Sequence, residues 1–143
     1  MNLPKSRGNL YKERVMKVKL FLIITAVLAF LFGIVFLLAP ARIPASHGIT
    51  ADPGMKHMAQ FFGSGLLALA VLSWATRNTP DSTARRAIVL ALFVYWTLGT
   101  IVATLWQLTG IPEVSGWSTV VFHAPLAVIF GYFAIRYRGP IQE

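Results

Sequence analysis

The 143-residue sequence has no cysteine, only five acidic residues, and charge at only 13% of its positions. Without cysteine there are no disulfides, no Cys-ligated zinc, no iron–sulfur cluster and no thiol redox chemistry. The scarcity of charge excludes more. A soluble domain is about a quarter charged and somewhat under half apolar, whereas this chain is 56% hydrophobic with a mean hydropathy of +0.65. Disorder and an ordinary water-soluble globule are both ruled out. The formal net charge of +8 rests on charges too few and too localised for nucleic-acid binding, so no nucleic-acid partner is expected. In a chain this apolar a basic excess reads as a membrane-topology signal.

What the sequence does contain is four apolar runs, covering about residues 20–39, 58–76, 87–108 and 117–135. Each is close to the 20 or so helical residues needed to cross about 30 Å of hydrocarbon. None holds Asp, Glu, Lys or Arg; one such charge at mid-membrane costs about 2.5–3.5 kcal/mol. The pattern predicts an all-α integral membrane protein, a single domain over residues 1–143 built as an antiparallel bundle of four transmembrane helices. Residues 1–19 form a basic tail.

The charges fall in the gaps, and unevenly. The N-terminal tail, the connection between the second and third spans, and the C-terminal tail together hold eleven cations and three anions. The two connections on the other side hold Arg42 and Lys56 against Asp52 and Glu113. This positive-inside pattern places both termini in the cytoplasm. A secretory signal is the competing reading of the first run, with Ala39-Pro40-Ala41 resembling a cleavage site. The run is too long for a signal core and Pro40 sits within the would-be motif, so the first helix is retained.

The connection over residues 40–57 contains Pro44, Gly48 and the turn signal Asp52-Pro53-Gly54. Residues 109–116 are short enough for a tight hairpin, and Asp81 or Ser82 can cap the third span. The first 17 or so residues have little apolar periodicity, as expected of a solvated tail or a basic strip on anionic headgroups. Short matches recur at offsets of 66 to 68 residues: Gly33 with Gly99, Ile43-Pro44 with Ile111-Pro112, His57 with His123, Phe62-Gly63 with Phe130-Gly131. If they mark a duplication, two hairpins are related by an axis along the membrane normal.

Every span has a small-xxx-small pair: Ala29 and Gly33, Ser64 and Ala68, Gly99 and Ala103, Ala127 and Gly131. Such pairs let backbones approach closely, which matters in lipid because hydrocarbon tails are as apolar as the helices. The stretch Phe62-Gly63-Ser64-Gly65 is the expected closest crossing.

Candidate chemistry is sparse. His123 lies about 9 Å into the fourth span by helical rise and precedes Pro125, whose missing donor can free a carbonyl one turn earlier. Gln60, Ser64, Thr104, Gln107 and His123 all fall in the outer half of the membrane. They can line a polar pocket suited to a quinone headgroup, a lipid headgroup or an isoprenoid alcohol, or simply hydrogen-bond one another between helices. A bis-histidine haem is disfavoured because His57 sits at the interface, well above His123. His47, Asp52, His57 and Glu113 match no compact metal-ligand motif. No metal, no firm cofactor and no catalytic residue is expected.

The segment over residues 55–67, reading Met-Lys-His-Met-Ala-Gln-Phe-Phe-Gly-Ser-Gly-Leu-Leu, the connection over residues 77–86 and the third span resemble the small four-helix bacterial membrane proteins loosely grouped as DoxX-like. The resemblance implies a four-helix bundle in a bacterial cytoplasmic membrane and association with a larger redox or envelope complex. It supplies no catalytic residues. The expected function is a non-enzymatic accessory or scaffold subunit. Its partners are the bilayer, anionic lipid at the basic tail, and other membrane subunits or further copies of the chain. The alternative is a quinone- or lipid-binding module, either alone or within a redox enzyme.

Overall fold

The computed structural model describes residues 7–80, 82–108 and 114–136. All its regular structure is helical: α1 (Arg7–Leu38), α2 (Arg42–Ser46), α3 (Pro53–Thr76), α4 (Thr83–Leu108) and α5 (Val114–Arg136). Four of these are long and apolar enough to cross a membrane; α2 is a five-residue element in the first connection. The starts of α1 and α4 and the ends of α3 and α5 carry most of the cations and are called the basic end below. The connections after Leu108, over residues 109–113, and beyond Arg136 lie outside the described residues, as does Asp81, so the expected hairpin and one of the two expected caps fall there.

Helix starts follow local chemistry. Asp52 and Pro53 do more than mark a turn. The Asp52 side chain accepts a hydrogen bond from the Met55 amide at 2.7 Å, and Pro53 takes the first helical position, where its missing donor costs nothing. Ser82 Oγ accepts from the Arg85 amide at 3.2 Å and caps α4. The short α2 closes on Gly48, with φ of 70°, through paired bonds from the Gly48 amide to Ala45 and from the Ile49 amide to Pro44, both 3.0 Å. This closure requires the left-handed conformation that glycine adopts without strain.

The basic segment, expected to be a solvated tail or a basic strip on headgroups, is regular helix over its described residues. From Arg7 it is already part of α1, a 32-residue helix about 48 Å long, because Lys, Glu, Arg, Met and Leu are all good helix formers. The Lys17–Glu13 pair, 2.8 Å apart and four residues along the helix, adds support.

The helices associate as two close pairs, α1 with α3 and α4 with α5. In the first pair the backbones nearly touch. A Cβ at Gly63 would stand 2.9 Å from the Gly33 carbonyl oxygen, the Leu37 amide nitrogen and Phe36 Cβ. In the second, a Cβ at Gly131 would meet the Phe93 ring at 2.9 Å, and one at Gly99 would meet His123 Cδ2 at 2.6 Å. Glycines at the repeated positions thus sit at close approaches in both pairs, but Gly33 faces Gly63 whereas Gly99 and Gly131 face side chains.

Between the pairs the packing is bulky. Val18 and Leu22 of α1 join Val89, Leu92 and Trp96 of α4 and Leu126, Phe130, Phe133 and Ala134 of α5 in one core. Ring contacts Phe21–Phe133 and Phe32–Phe122 tie α1 to α5 at centroid distances of 5.8 and 6.2 Å. Ala29 and Gly33 are buried, and Ala103 and Ala127 half-buried, but Ser64, Gly65 and Ala68 are exposed. The buried stripe of α3 is Gly63, Leu66, Ala70 and Ser73, and at about 100° per residue Gly65 falls on nearly the opposite side from Gly63.

Gly63→Ala is therefore expected to destabilise by about 1–3 kcal/mol, since the obstructing atoms are backbone and cannot rotate away. Gly65→Ala, which meets nothing within 4 Å, should be neutral or gain up to about 1 kcal/mol in helix propensity. Thermal unfolding of the two variants in the same detergent checks the contrast.

Candidate functional site

The five polar residues singled out from the sequence lie on α3, α4 and α5, and most are engaged on their own helix. Ser64 Oγ donates to the Phe61 carbonyl at 2.7 Å and Thr104 Oγ1 to the Thr100 carbonyl at 2.8 Å. In an apolar medium this satisfies the hydroxyl without an interhelical partner. Gln60 Nε2 reaches α1 instead, donating to the Leu37 carbonyl at 3.3 Å. Gln107 is 7% exposed, and its Oε1 has no hydrogen-bond partner among the described residues. Among those residues no hydrogen bond joins any two of the five.

His123 occupies a half-buried aromatic recess. Its ring lies 4.9 Å from Trp96, 5.8 Å from Phe122 and 6.4 Å from Tyr95, measured between centroids, and it fills the space left by Gly99. Nδ1 is 2.9 Å from the Thr119 carbonyl oxygen. A carbonyl only accepts, so Nδ1 carries the proton in that contact, and in the neutral ring Nε2 is left as an acceptor. Trp96 Nε1, buried beside it, is a donor with no partner among the described residues. α5 continues through Pro125 without interruption.

Two concavities stand out among the described residues, and neither is centred on the five polar residues. One, of about 400 Å³, is an open dish at the α2 end lined by Ala41, Ala45, Gly48, Ile49, Thr50, Ala51 and Lys56. The other, of about 370 Å³, is an apolar cleft between α3 and α4 lined by Phe61, Phe62, Gly65, Leu66, Leu69 and Tyr95. It exists because each of these helices packs closely with a different partner. Among the described residues no group of three His, Asp or Glu side chains comes together.

The basic end holds the strongest polar contacts. Arg85 is 0% exposed, with Nη1 donating to the Thr79 carbonyl at 2.9 Å and Nη2 to the Val15 carbonyl of α1 at 3.3 Å. Arg77 donates to the Trp74 carbonyl in the last turn of α3 and lies 3.8 Å over the Trp74 ring. Arg14 Nη1 donates to the Arg136 carbonyl at the end of α5, at 3.1 Å. α3 and α5 both end here, so guanidinium groups meet the negative ends of two helix dipoles and their unsatisfied carbonyls. Sequence reading counts these arginines only as loop charge. Nothing in the pair Arg85-Arg86 tells which one is buried.

The fold thus defines an all-helical protein with four helices able to span a membrane, an apolar cleft on one flank and an arginine-capped end. The chain belongs to the family described as Domain of unknown function (DUF8292), which matches residues 3–137. No DoxX-like family is found with it, and no curated protein and no solved structure matches the chain.

Arg85→Gln is expected to lose at least about 1.5–3 kcal/mol of stability by giving up charge-assisted bonds to carbonyls on two elements. Its exposed neighbour Arg86, changed to Gln, should shift stability by no more than about 0.5 kcal/mol. Unfolding midpoints measured side by side separate the two.

Proposed function

We propose that this chain is a non-enzymatic integral membrane protein that serves as an accessory or scaffold subunit of a larger membrane complex, with its basic end in the cytoplasm. The observation that carries this reading is the divided use of α3. Gly63 is spent on the crossing with α1, while the far side of the same helix presents exposed Phe61, Ser64, Gly65 and Ala68 beside an unfilled cleft. Glycine inside a helix costs about 1 kcal/mol relative to alanine. A second glycine with nothing against it makes sense if another helix seats there, because close backbone approach is what drives helix association in lipid. The eleven cations on one side support this orientation, and a bacterial cytoplasmic membrane is the setting that the sequence resemblance implies.

A second reading is favoured by the cleft itself. Its walls are aromatic and aliphatic, and Tyr95 brings a phenol hydroxyl to them. A lipid-soluble molecule with a carbonyl or hydroxyl acceptor, such as a quinone or an isoprenoid alcohol, would accept from it. On this reading the ligand is recognised chiefly by Tyr95 and the phenylalanines rather than by the five polar residues.

Native mass spectrometry after gentle detergent extraction tests both readings at once. An assembly well above 15.8 kDa that dissociates in Gly65→Leu supports the scaffold reading, and a monodisperse monomer overturns it. A co-purifying small molecule lost in Tyr95→Phe supports the second reading, and its absence from the wild type overturns that one.

A further inference from the structure

Two helices far apart in sequence bring three cations together at the basic end. Arg14 and Lys17 stand nearly one turn apart on α1, and Tyr132 and Arg136 one turn apart on α5. The bond from Arg14 to the Arg136 carbonyl holds the helices side by side, and the Phe21–Phe133 contact continues the seam toward the core. The Arg136 guanidinium lies 5.6 Å from the Tyr132 ring centroid, and Tyr132 is within electrostatic range of the Lys17 ammonium. Lys17, Tyr132 and Arg136 are all exposed. Among the described residues the carboxylate in the cluster is Glu13, 2.8 Å from Lys17, which leaves the three cations of the seam in excess.

Depth and surroundings narrow what would offset that excess. The first apolar run begins at Leu20 and the last ends at Ile135, so the cluster sits at the edge of the hydrocarbon, where headgroups lie. One turn further along the same two faces, Leu20 and Val128 are exposed apolar side chains. The surface therefore offers cations and a phenol at headgroup level and apolar side chains just below, the order of a phosphate ester above its acyl chains. Basic pockets between transmembrane helices are suited to such headgroups.

We propose that the α1–α5 seam is a binding site for an anionic phospholipid, with Arg14, Lys17 and Arg136 meeting the phosphate and the Tyr132 hydroxyl donating to one of its oxygens. This goes beyond subunit assembly. It rests on the basic end lying at a bilayer surface, but its readout depends neither on orientation nor on assembly mass.

The test uses the full chain in detergent micelles supplied with equimolar phosphatidylglycerol and phosphatidylcholine of matched chains, with retained lipid read by native mass spectrometry. With three cations at headgroup level, the wild type should retain phosphatidylglycerol at least about tenfold better. Lys17→Gln with Arg136→Gln should bring the ratio close to one, and Lys17→Arg with Arg136→Lys should restore it. Replacing Arg136 leaves in place the backbone carbonyl that Arg14 holds, and an unchanged unfolding midpoint confirms the fold. Arg77→Gln with Arg86→Gln removes as much charge elsewhere at the same end and should keep the preference. No preference in the wild type overturns the site, as does an equal loss in the Arg77/Arg86 variant. Displacement of the bound lipid by millimolar inorganic phosphate assigns the cluster to free phosphate and also overturns it.

Discussion

The structure depends on how closely α1 and α3 can approach. With Gly33 and Gly63 facing each other, main-chain atoms of one helix sit where a Cβ of the other would be. In hydrocarbon there is no gain from simply hiding apolar surface, so the attraction comes from contact between surfaces that fit. Once α1 is committed to α3, its other side must fill the wider space toward α4 and α5. The aromatic rings at Phe21, Phe32, Phe122 and Phe133 do so. The cleft between α3 and α4 is the complement of the same choice, since a helix drawn close to one neighbour leaves a gap toward another.

Polarity is divided just as sharply. Within the apolar lengths, Ser64, Thr76, Thr100 and Thr104 turn their hydroxyls onto carbonyls of their own helices, so they ask nothing of the neighbouring helix. At the basic end, arginines reach between elements: Arg14 to α5 and Arg85 to α1. The cations that crowd this end also cap the ends of helices. That dual use explains why so small a protein tolerates a fully buried guanidinium, a group that is strongly destabilising when left without acceptors.

The four long helices are legible in the sequence because runs without Asp, Glu, Lys or Arg are rare and physically specific. The flagged stretch around Gly63 is legible as well, because two glycines in an apolar helix need a reason. Which of the two meets α1 is not legible, since that depends on helix rotation and both sit within one turn. The α1 start at Arg7 escaped because its basic residues have no apolar stripe to show periodicity, although they are good helix formers. The candidate polar pocket rests on depth alone. Depth says nothing about azimuth, and a serine or threonine can always bond one turn back. Arg85 carries no local signal, because its burial involves Val15, 70 positions away; Tyr95 shows as a hydroxyl in the middle of the third span, but the cleft beside it is lined from α3.

The unbroken course of α1 has a mechanical meaning. From Arg7 to Gly33 is 26 residues, about 39 Å along the axis, and no proline interrupts it. Only the last 19 or so residues of α1 are needed to cross the hydrocarbon, so the first several turns project beyond it as part of the same rod. Anything that tilts this projecting end tilts the whole helix, and the motion is delivered to the glycine crossing at the other end. There the backbones are too close for one to move without carrying the other. An unbroken helix of this length is one rigid body from its basic start to the close contact between Gly33 and Gly63.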